Sequence, residues 1–157
     1  MRLLPKGTNE GWTPYLWLIY LGAVLLSPTL HRAAAREWAV TVGSVLLFLI
    51  LYFRVYWVEE SRVLWYIAGI ATLGALLAPT NPVAATYFIF AVSCLGPLSV
   101  RLGVRCMLVL LAIIALESWA LSLSLQFWIP ALVFTAMIGA INIHYGQVGR
   151  ANARLRM

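Results

Sequence analysis

The sequence predicts an all-α membrane protein, a polytopic bundle of about six transmembrane helices with both termini in the cytoplasm. Hydrophobic residues make up 63% of the 157-residue chain and charged residues only 10%, which is more apolar surface than a water-soluble domain of this size could bury. Four long stretches contain no charged residue, apart from Glu117 in the fourth. Breaks within two of them leave six segments of roughly 16 to 20 residues, the length of helix that crosses a bilayer. The four stretches are residues 11–30, 38–53, 63–100 and 106–143.

Local signals set the boundaries of the six helices. Thr13-Pro14 begins the first helix, because a capping threonine before a proline at the first helical position costs no hydrogen bond. Charged residues bound the apolar run of the second helix at both ends. Pro79-Thr80-Asn81-Pro82 separates the third helix from the fourth, residues 122–126 separate the fifth from the sixth, and Pro130 lies in the first turn of the sixth. The predicted helices are residues 13–30, 38–56, 63–79, 83–100, 104–121 and 126–144.

Lysines and arginines determine how these helices thread the membrane, because short cytoplasmic loops retain them. With the N-terminus inside, nine of the eleven basic residues lie in the cytoplasm and two lie outside. The opposite orientation with six spans reverses this ratio, so we predict six spans with both termini inside. The cytoplasmic residues are Arg2, Lys6, Arg54, Arg62, Arg101, Arg105, Arg150, Arg154 and Arg156, and the external ones are Arg32 and Arg36.

Other interpretations of the composition fit less well. The net charge of +6 is spread in ones and twos at helix ends, which does not predict a nucleic-acid surface. Residues 14–30 could be a signal peptide cleaved near residues 33–35, but the apolar run is longer than the usual signal core. Cys94, predicted inside the fourth helix, and Cys106, near the start of the fifth, lack metal-binding spacing, so we interpret both as packing residues. We predict no cofactor and no metal.

One carboxylate lies inside a predicted span. Glu117 is in the outer half of the fifth helix, and polar residues within membranes commonly mark ion or substrate paths. A small transporter would use it to bind a proton or cation; alternatively, its side chain reaches water at the outer interface. His144 ends the sixth helix on the cytoplasmic side, where an imidazole is more often structural than catalytic. An intramembrane enzyme would need two converging polar groups, and these two lie toward opposite faces of the membrane.

The C-terminal residues have the spacing of a coiled coil. Five residues spaced four, three, four and three apart would continue the sixth helix out of the membrane as an a/d seam. Alternatively, the spacing is accidental in a polar helix that Gly146 and Gly149 would each weaken by about 1 kcal/mol. A lone Asn at a seam position fixes register and a dimeric state at a cost in stability, which suits a homodimer. The candidate seam is Ile141, Tyr145, Val148, Asn152 and Leu155.

Several aromatic and proline motifs resemble those of one known family. The specific motif is Gly11-Trp12-Thr13-Pro14-Tyr15-Leu16-Trp17, and weaker ones are Trp65-Tyr66, Tyr87-Phe88-Ile89-Phe90 and Pro130. They resemble the DesK-type sensor histidine kinases, whose first membrane helix opens G-x-T-P-Y-x-W and whose founding member controls a lipid desaturase. In that family the last membrane helix runs into a coiled coil, then a dimerisation domain with the phospho-accepting His, then an ATP-binding domain. His144 matches no phospho-acceptor motif, so no catalytic residue is transferred to this chain.

The resemblance implies a sensor and signal-transmission module of a two-component histidine kinase in the bacterial inner membrane. Residues 1–144 would form the transmembrane sensor and residues 145–157 the start of a cytoplasmic signalling helix. We expect a truncated piece of a longer protein, not an enzyme by itself, because the chain stops at Met157 without a helix-ending signal. A kinase core and a response regulator would be partners through the full-length protein.

The physical stimulus that the sequence favours is the thickness of the bilayer. The 16 residues 38–53 form about 24 Å of helix, against roughly 30 Å of hydrocarbon. This helix is mismatched unless the bilayer thins or the Arg54 side chain extends to the interface. A change in thickness would also alter the hydration of Lys6, Asn9 and Glu10, which precede the first helix. The lipid bilayer is therefore the predicted direct partner.

Overall fold

Helices account for nearly all of the described chain. A computed structural model of the protein describes residues 18–30 and 33–155, and within these ranges the regular elements are six α-helices and one 3-10 turn. The all-α prediction is confirmed. In chain order the elements are α1 (Ile19–Leu30), α2 (Ala35–Val55), α3 (Glu60–Leu77), the 3-10 turn (Pro82–Ala84), α4 (Ala85–Ser93), α5 (Val100–Ala120) and α6 (Leu125–Leu155).

Two helices of the described residues are long and apolar enough to cross a membrane. They are α2, with 21 residues, and the part of α6 from Trp128 to Asn152, with 25 residues. Two further apolar helices, Ile19–Leu30 and Arg62–Leu77, are shorter. These lengths are consistent with a membrane protein, whereas the full set of six spans stays a prediction. Residues 13–17 of the first predicted helix lie outside the described residues.

The predicted fourth helix is wrong at its C-terminal end. The sequence predicted a helix over residues 83–100, but α4 ends at Ser93 and a turn leads into α5. Pro97 explains the ending, because it has no N–H for a helical hydrogen bond and disfavours a helical conformation at Gly96 before it. Cys94, predicted inside this helix, therefore lies in the turn, where it is buried.

Several other boundaries differ from the sequence prediction by a few residues, among them the starts of α2, α3, α5 and α6. α2 begins at Ala35, three residues before the predicted start at residue 38. α6 begins at Leu125, so Pro130 is its sixth residue and not part of its first turn. Because Pro130 has no N–H, the carbonyl of Gln126 receives no helical hydrogen bond from it. Gln126 lies exposed at the helix start, where other donors can reach that carbonyl.

The described residues form two compact units, of which the first ends at Thr86. In this unit α2 packs against both α1 and α3, and the 3-10 turn contacts α1 and α3. Val24, Phe48, Tyr52 and Ile70 are buried in its core. The rings of Phe48 and Tyr52 are stacked with centroids 5.4 Å apart, which fixes the inward face of α2.

Asn81 joins the turn after α3 to the backbone of α1. Pro28 lies inside α1 and cannot donate to the carbonyl four residues before it, that of Val24. The side-chain amide of Asn81 donates to this carbonyl at 3.0 Å, and its oxygen accepts from the N–H of Val83 at 3.0 Å. Only 2% of Asn81 is exposed. A polar residue that the sequence analysis placed in a loop therefore satisfies a buried carbonyl in a distant helix.

The second unit begins at Tyr87 and centres on an antiparallel pair of helices, α5 and α6. A Cβ atom on Gly139 would lie 2.8 Å from the sulfur of Met107, and one on Gly103 would lie 3.1 Å from Ile143 Cγ1. Residue numbers fall along α6 as they rise along α5, so the helices run in opposite directions. Glycines let helix backbones approach closely in this way, a common feature of membrane helix pairs.

The connection between α5 and α6 is short. Residues 121–124 join them, and within this connection Ser122 has a φ of 51°. That left-handed conformation is uncommon outside glycine and turns the chain sharply. The predicted break at residues 122–126 therefore falls where the structure has the turn.

Candidate functional site on the C-terminal helix

α6 is one continuous helix from Leu125 to Leu155. Its 31 residues form about 46 Å of helix, against roughly 30 Å of bilayer hydrocarbon. Gly146 and Gly149 do not interrupt it. If residues 126–144 cross the membrane as predicted, the remaining residues project about 16 Å beyond it.

One face of α6 is packed within its own unit. Gly139 lies against Met107, and Ile143 lies against Gly103. Further along, Gly146 and Arg150 meet the turn between α4 and α5. The packed face consists of Gly139, Ile143, Gly146 and Arg150, which are spaced four, three and four apart.

Arg150 and Gly146 bind this turn in two different ways. The Nη1 atom of Arg150 donates to the carbonyl oxygens of Gly96 at 2.9 Å and of Pro97 at 3.1 Å. A Cβ atom on Gly146 would lie 2.8 Å from the carbonyl carbon of Gly96 and 3.0 Å from its Cα. Only a glycine fits at Gly146, because its neighbour is backbone that cannot rotate away.

The five predicted seam residues lie together on the opposite face of α6. On a helix of 3.6 residues per turn, the two sets of residues are centred roughly 170° apart. All five seam residues are exposed, and the exposed fractions of the four besides Asn152 range from 41% for Val148 to 85% for Leu155. The structure thus places Ile141, Tyr145, Val148, Asn152 and Leu155 on one open face, while the coiled coil itself stays a prediction.

The other predicted sensing residues are dispersed. Arg54 is exposed in the last turn of α2, where its long side chain can extend past the helix end. Lys6, Asn9 and Glu10 lie outside the described residues. The predicted role of these four residues in sensing stays a prediction.

Glu117 and His144 are far apart in the second unit. The contact between Gly103 and Ile143 places His144 beside the first turn of α5, whereas Glu117 is in the last turn. Gly103 and Glu117 are separated by about 21 Å of helix. Within residues 18–30 and 33–155, no three His, Cys, Asp or Glu residues are grouped to hold a metal ion.

Glu117 is followed in α5 by a buried polar residue. Glu117 is half-buried, and the adjacent Ser118 is only 6% exposed. The Ser118 hydroxyl has no hydrogen-bond partner among the described residues. An unpaired buried hydroxyl is costly, but consecutive residues of a helix point about 100° apart, so the Ser118 hydroxyl and the Glu117 carboxylate are not on one face of α5.

The sequence analysis missed the residues that hold α6 in place. It counted Arg150 only as a cytoplasmic charge and Gly146 only as a weak helix residue. The signal that could have found them is Gly96-Pro97, a helix-ending pair inside an apolar run, whose carbonyls need donors from elsewhere.

Comparison of the chain with models of protein families, with curated proteins and with solved structures finds no significant match.

Proposed function

We propose that the chain is the membrane sensor and signal-transmission module of a two-component histidine kinase of the DesK type. In this proposal the helices before α6 respond to the bilayer, and α6 carries the response to a kinase core in the full-length protein. A response regulator then receives the phosphoryl group from that core. The chain itself performs no catalysis.

The observation that carries the proposal is the two-sided character of α6. One face is packed against α5 and the turn before it, while the opposite face is exposed and has heptad spacing over five residues. A helix that belonged only to a membrane bundle would not need a second, regularly spaced apolar face beyond the bilayer. That face suits a second copy of the chain, with Asn152 setting the register of a parallel homodimer.

The proposed location is the bacterial inner membrane, with six spans and both termini inside. The two long apolar helices support a membrane protein, and the distribution of lysine and arginine supports the orientation. Reporter fusions test the threading directly. We expect an external signal for fusions after residues 81 and 124 and a cytoplasmic signal after residues 58 and 103; an external signal at residue 103 would contradict it.

The proposed stimulus is bilayer thickness or the temperature that changes it. α2 forms about 31 Å of helix, but its uncharged part remains residues 38–53, about 24 Å long. Exposed Arg54 must therefore lie at or beyond one edge of the hydrocarbon. Each ångström of mismatch costs a fraction of a kcal/mol, so several helices together can bias two arrangements by a few kcal/mol.

A fusion to a related kinase core tests this function. We expect its autophosphorylation to differ between vesicles of short-chain and long-chain lipids. Inserting one residue between Ala151 and Asn152 rotates the downstream seam by about 100° and should abolish that difference. Inserting seven residues at the same place is the matched control, because a heptad restores the phase to within about 20°. Equal activity of the unaltered fusion in both lipids would rule the function out.

A small transporter is the alternative function. The observations in its favour are that Glu117 is half-buried in α5 and that the buried hydroxyl of Ser118, the next residue, has no hydrogen-bond partner among the described residues. Proton or cation uptake into proteoliposomes that disappears in Glu117→Gln would establish it. For the sensor, Glu117→Gln should leave the lipid response of the kinase fusion unchanged.

A further inference from the structure

The turn between α4 and α5 contacts α6 at three positions that follow one another at intervals of four residues. A Cβ atom on Gly96 would lie 3.4 Å from the carbonyl oxygen of Asn142. One turn later the Gly96 backbone meets Gly146, and one turn later again Arg150 donates to Gly96 and Pro97. The turn therefore follows a single stripe of α6 over two helical turns.

The contact at Gly146 defines one rotational position of α6. A rotation of about 100° would replace Gly146 by a residue with a side chain. The Gly96 carbonyl carbon is already 2.8 Å from where a Cβ atom would stand, so the turn could not stay in place. Rotation of α6 therefore requires the turn to separate from it, because packed interfaces have discrete arrangements.

The contact at Arg150 can be released at small net cost. Arg150 is half-buried, so a guanidinium that leaves the two carbonyls regains hydrogen bonds to water. The steric contact at Gly146 thus defines the rotational position of α6. The hydrogen bonds of Arg150 contribute to the free energy needed to leave that position. Arg154, one turn further on and exposed, lies beyond the stripe.

We propose that residues 94–99 and the side chain of Arg150 form a latch that holds α6 in one rotational position and opens when the sensor switches. This inference rests on the proposed function, because the rotation that the latch restrains is the signal delivered to the kinase core. Arg150 is a positioning residue in this device. Opening separates Gly96 from Gly146 and lets the seam face turn.

Cys94 lies in the turn, and only 6% of it is exposed, so we expect its thiol to become more accessible when the turn separates from α6. In the full chain in vesicles, with Cys106 replaced by alanine, we would measure the rate at which a permeant maleimide labels Cys94. Arg150→Met removes the donors but keeps the apolar stem, and should raise the rate by up to about fivefold. Gly146→Ala should do the same by displacing Gly96.

The chain offers a matched control for each change. Arg154→Met removes the neighbouring arginine, and Gly149→Ala adds a methyl group where nothing lies within 4 Å. Both should label at the rate of the unaltered chain. If Arg150→Met labels Cys94 no faster than Arg154→Met, the latch is refuted.

The kinase fusion separates failure of the latch from failure of the proposed function. If the unaltered fusion does not respond to lipid thickness, the proposed function fails and the regulatory latch fails with it. If it responds and Arg150→Met responds equally, only the latch is overturned. The supporting result is a lipid response that is lost in Arg150→Met and Gly146→Ala and kept in Arg154→Met and Gly149→Ala.

Discussion

Each of the two units contains a side chain that donates to a backbone carbonyl more than fifty residues away. In the first unit, Asn81 donates to Val24, 57 residues away. In the second, Arg150 donates to Gly96 and Pro97, 54 and 53 residues away. Asn81 is neutral and almost fully buried, whereas Arg150 is charged and half-buried.

Because of this difference, we expect the Asn81 hydrogen bond to persist in the folded protein and the Arg150 hydrogen bonds to be able to break. The Asn81 amide replaces a hydrogen bond that Pro28 removed from inside a helix, and breaking it would leave the Val24 carbonyl buried without a donor. The Arg150 guanidinium and its two carbonyls lie closer to solvent, so water can replace each partner. We therefore expect the first bond to contribute to stability and the second to control motion.

The largest effect is expected at Asn81. Asn81→Ala leaves the Val24 carbonyl without its donor and the Val83 N–H without its acceptor, and should lower the free energy of unfolding by about 2–3 kcal/mol. The measurement is unfolding of the purified chain in mixed micelles with increasing SDS. In a Pro28→Ala background the residue-28 N–H can bind Val24, so the same change should cost about 1 kcal/mol less. If Asn81→Ala lowers the free energy of unfolding equally with and without Pro28→Ala, Asn81 does not compensate for Pro28.

A smaller loss is expected at Arg150. Arg150→Met should lower the free energy of unfolding by about 1 kcal/mol or less, because the exposed part of the guanidinium already competes with water. The same SDS titration measures it, with Arg154→Met as the control that should change nothing. A cost equal to that of Asn81→Ala would remove the distinction between the two connections.

The smallest effects are expected at glycines where an added methyl group would meet no other atom, and we take one such glycine from each unit. Gly43 in α2 and Gly149 in α6 have nothing within 4 Å of a Cβ atom, so alanine should stabilise each helix by about 0.5 kcal/mol through the unfolded chain. Thermal melts followed by circular dichroism in detergent measure this. Gly146→Ala should instead destabilise the protein, because a Cβ atom there would clash with the backbone of Gly96. Destabilisation by Gly149→Ala would mean that a second copy covers this part of α6.

Much of the helical architecture was predictable because its signals are local. Apolar runs and turn residues predicted the helices and the breaks near Asn81 and Ser122. The end of α4 was missed because the residues around Gly96-Pro97 are themselves apolar, so composition continued across the turn. Pro28 and Pro130 lie inside helices of the same chain, so a proline in an apolar run does not by itself show where a helix ends.

The long-range contacts within each unit were not predictable from local signals. Pro28 indicates an unpaired carbonyl at Val24, and Asn81 is an obvious donor, but nothing in the sequence pairs them. The same holds for Arg150 and Gly96. The five residues on the exposed face of α6 could be picked out from the sequence because their heptad spacing is local, whereas the opposite, packed face depends on glycines whose neighbours lie elsewhere in the fold.

The short connection at Ser122 bears on the order in which the protein assembles. α5 and α6 are consecutive helices joined by only residues 121–124, so once both helices have formed, little chain entropy opposes the contacts of Met107 with Gly139 and Gly103 with Ile143. This pair can therefore form as a helical hairpin while α6 is being synthesised. In the proposed homodimer, the glycine face of α6 would thus be covered within one chain during synthesis, whereas the seam face has to wait until it meets a second copy.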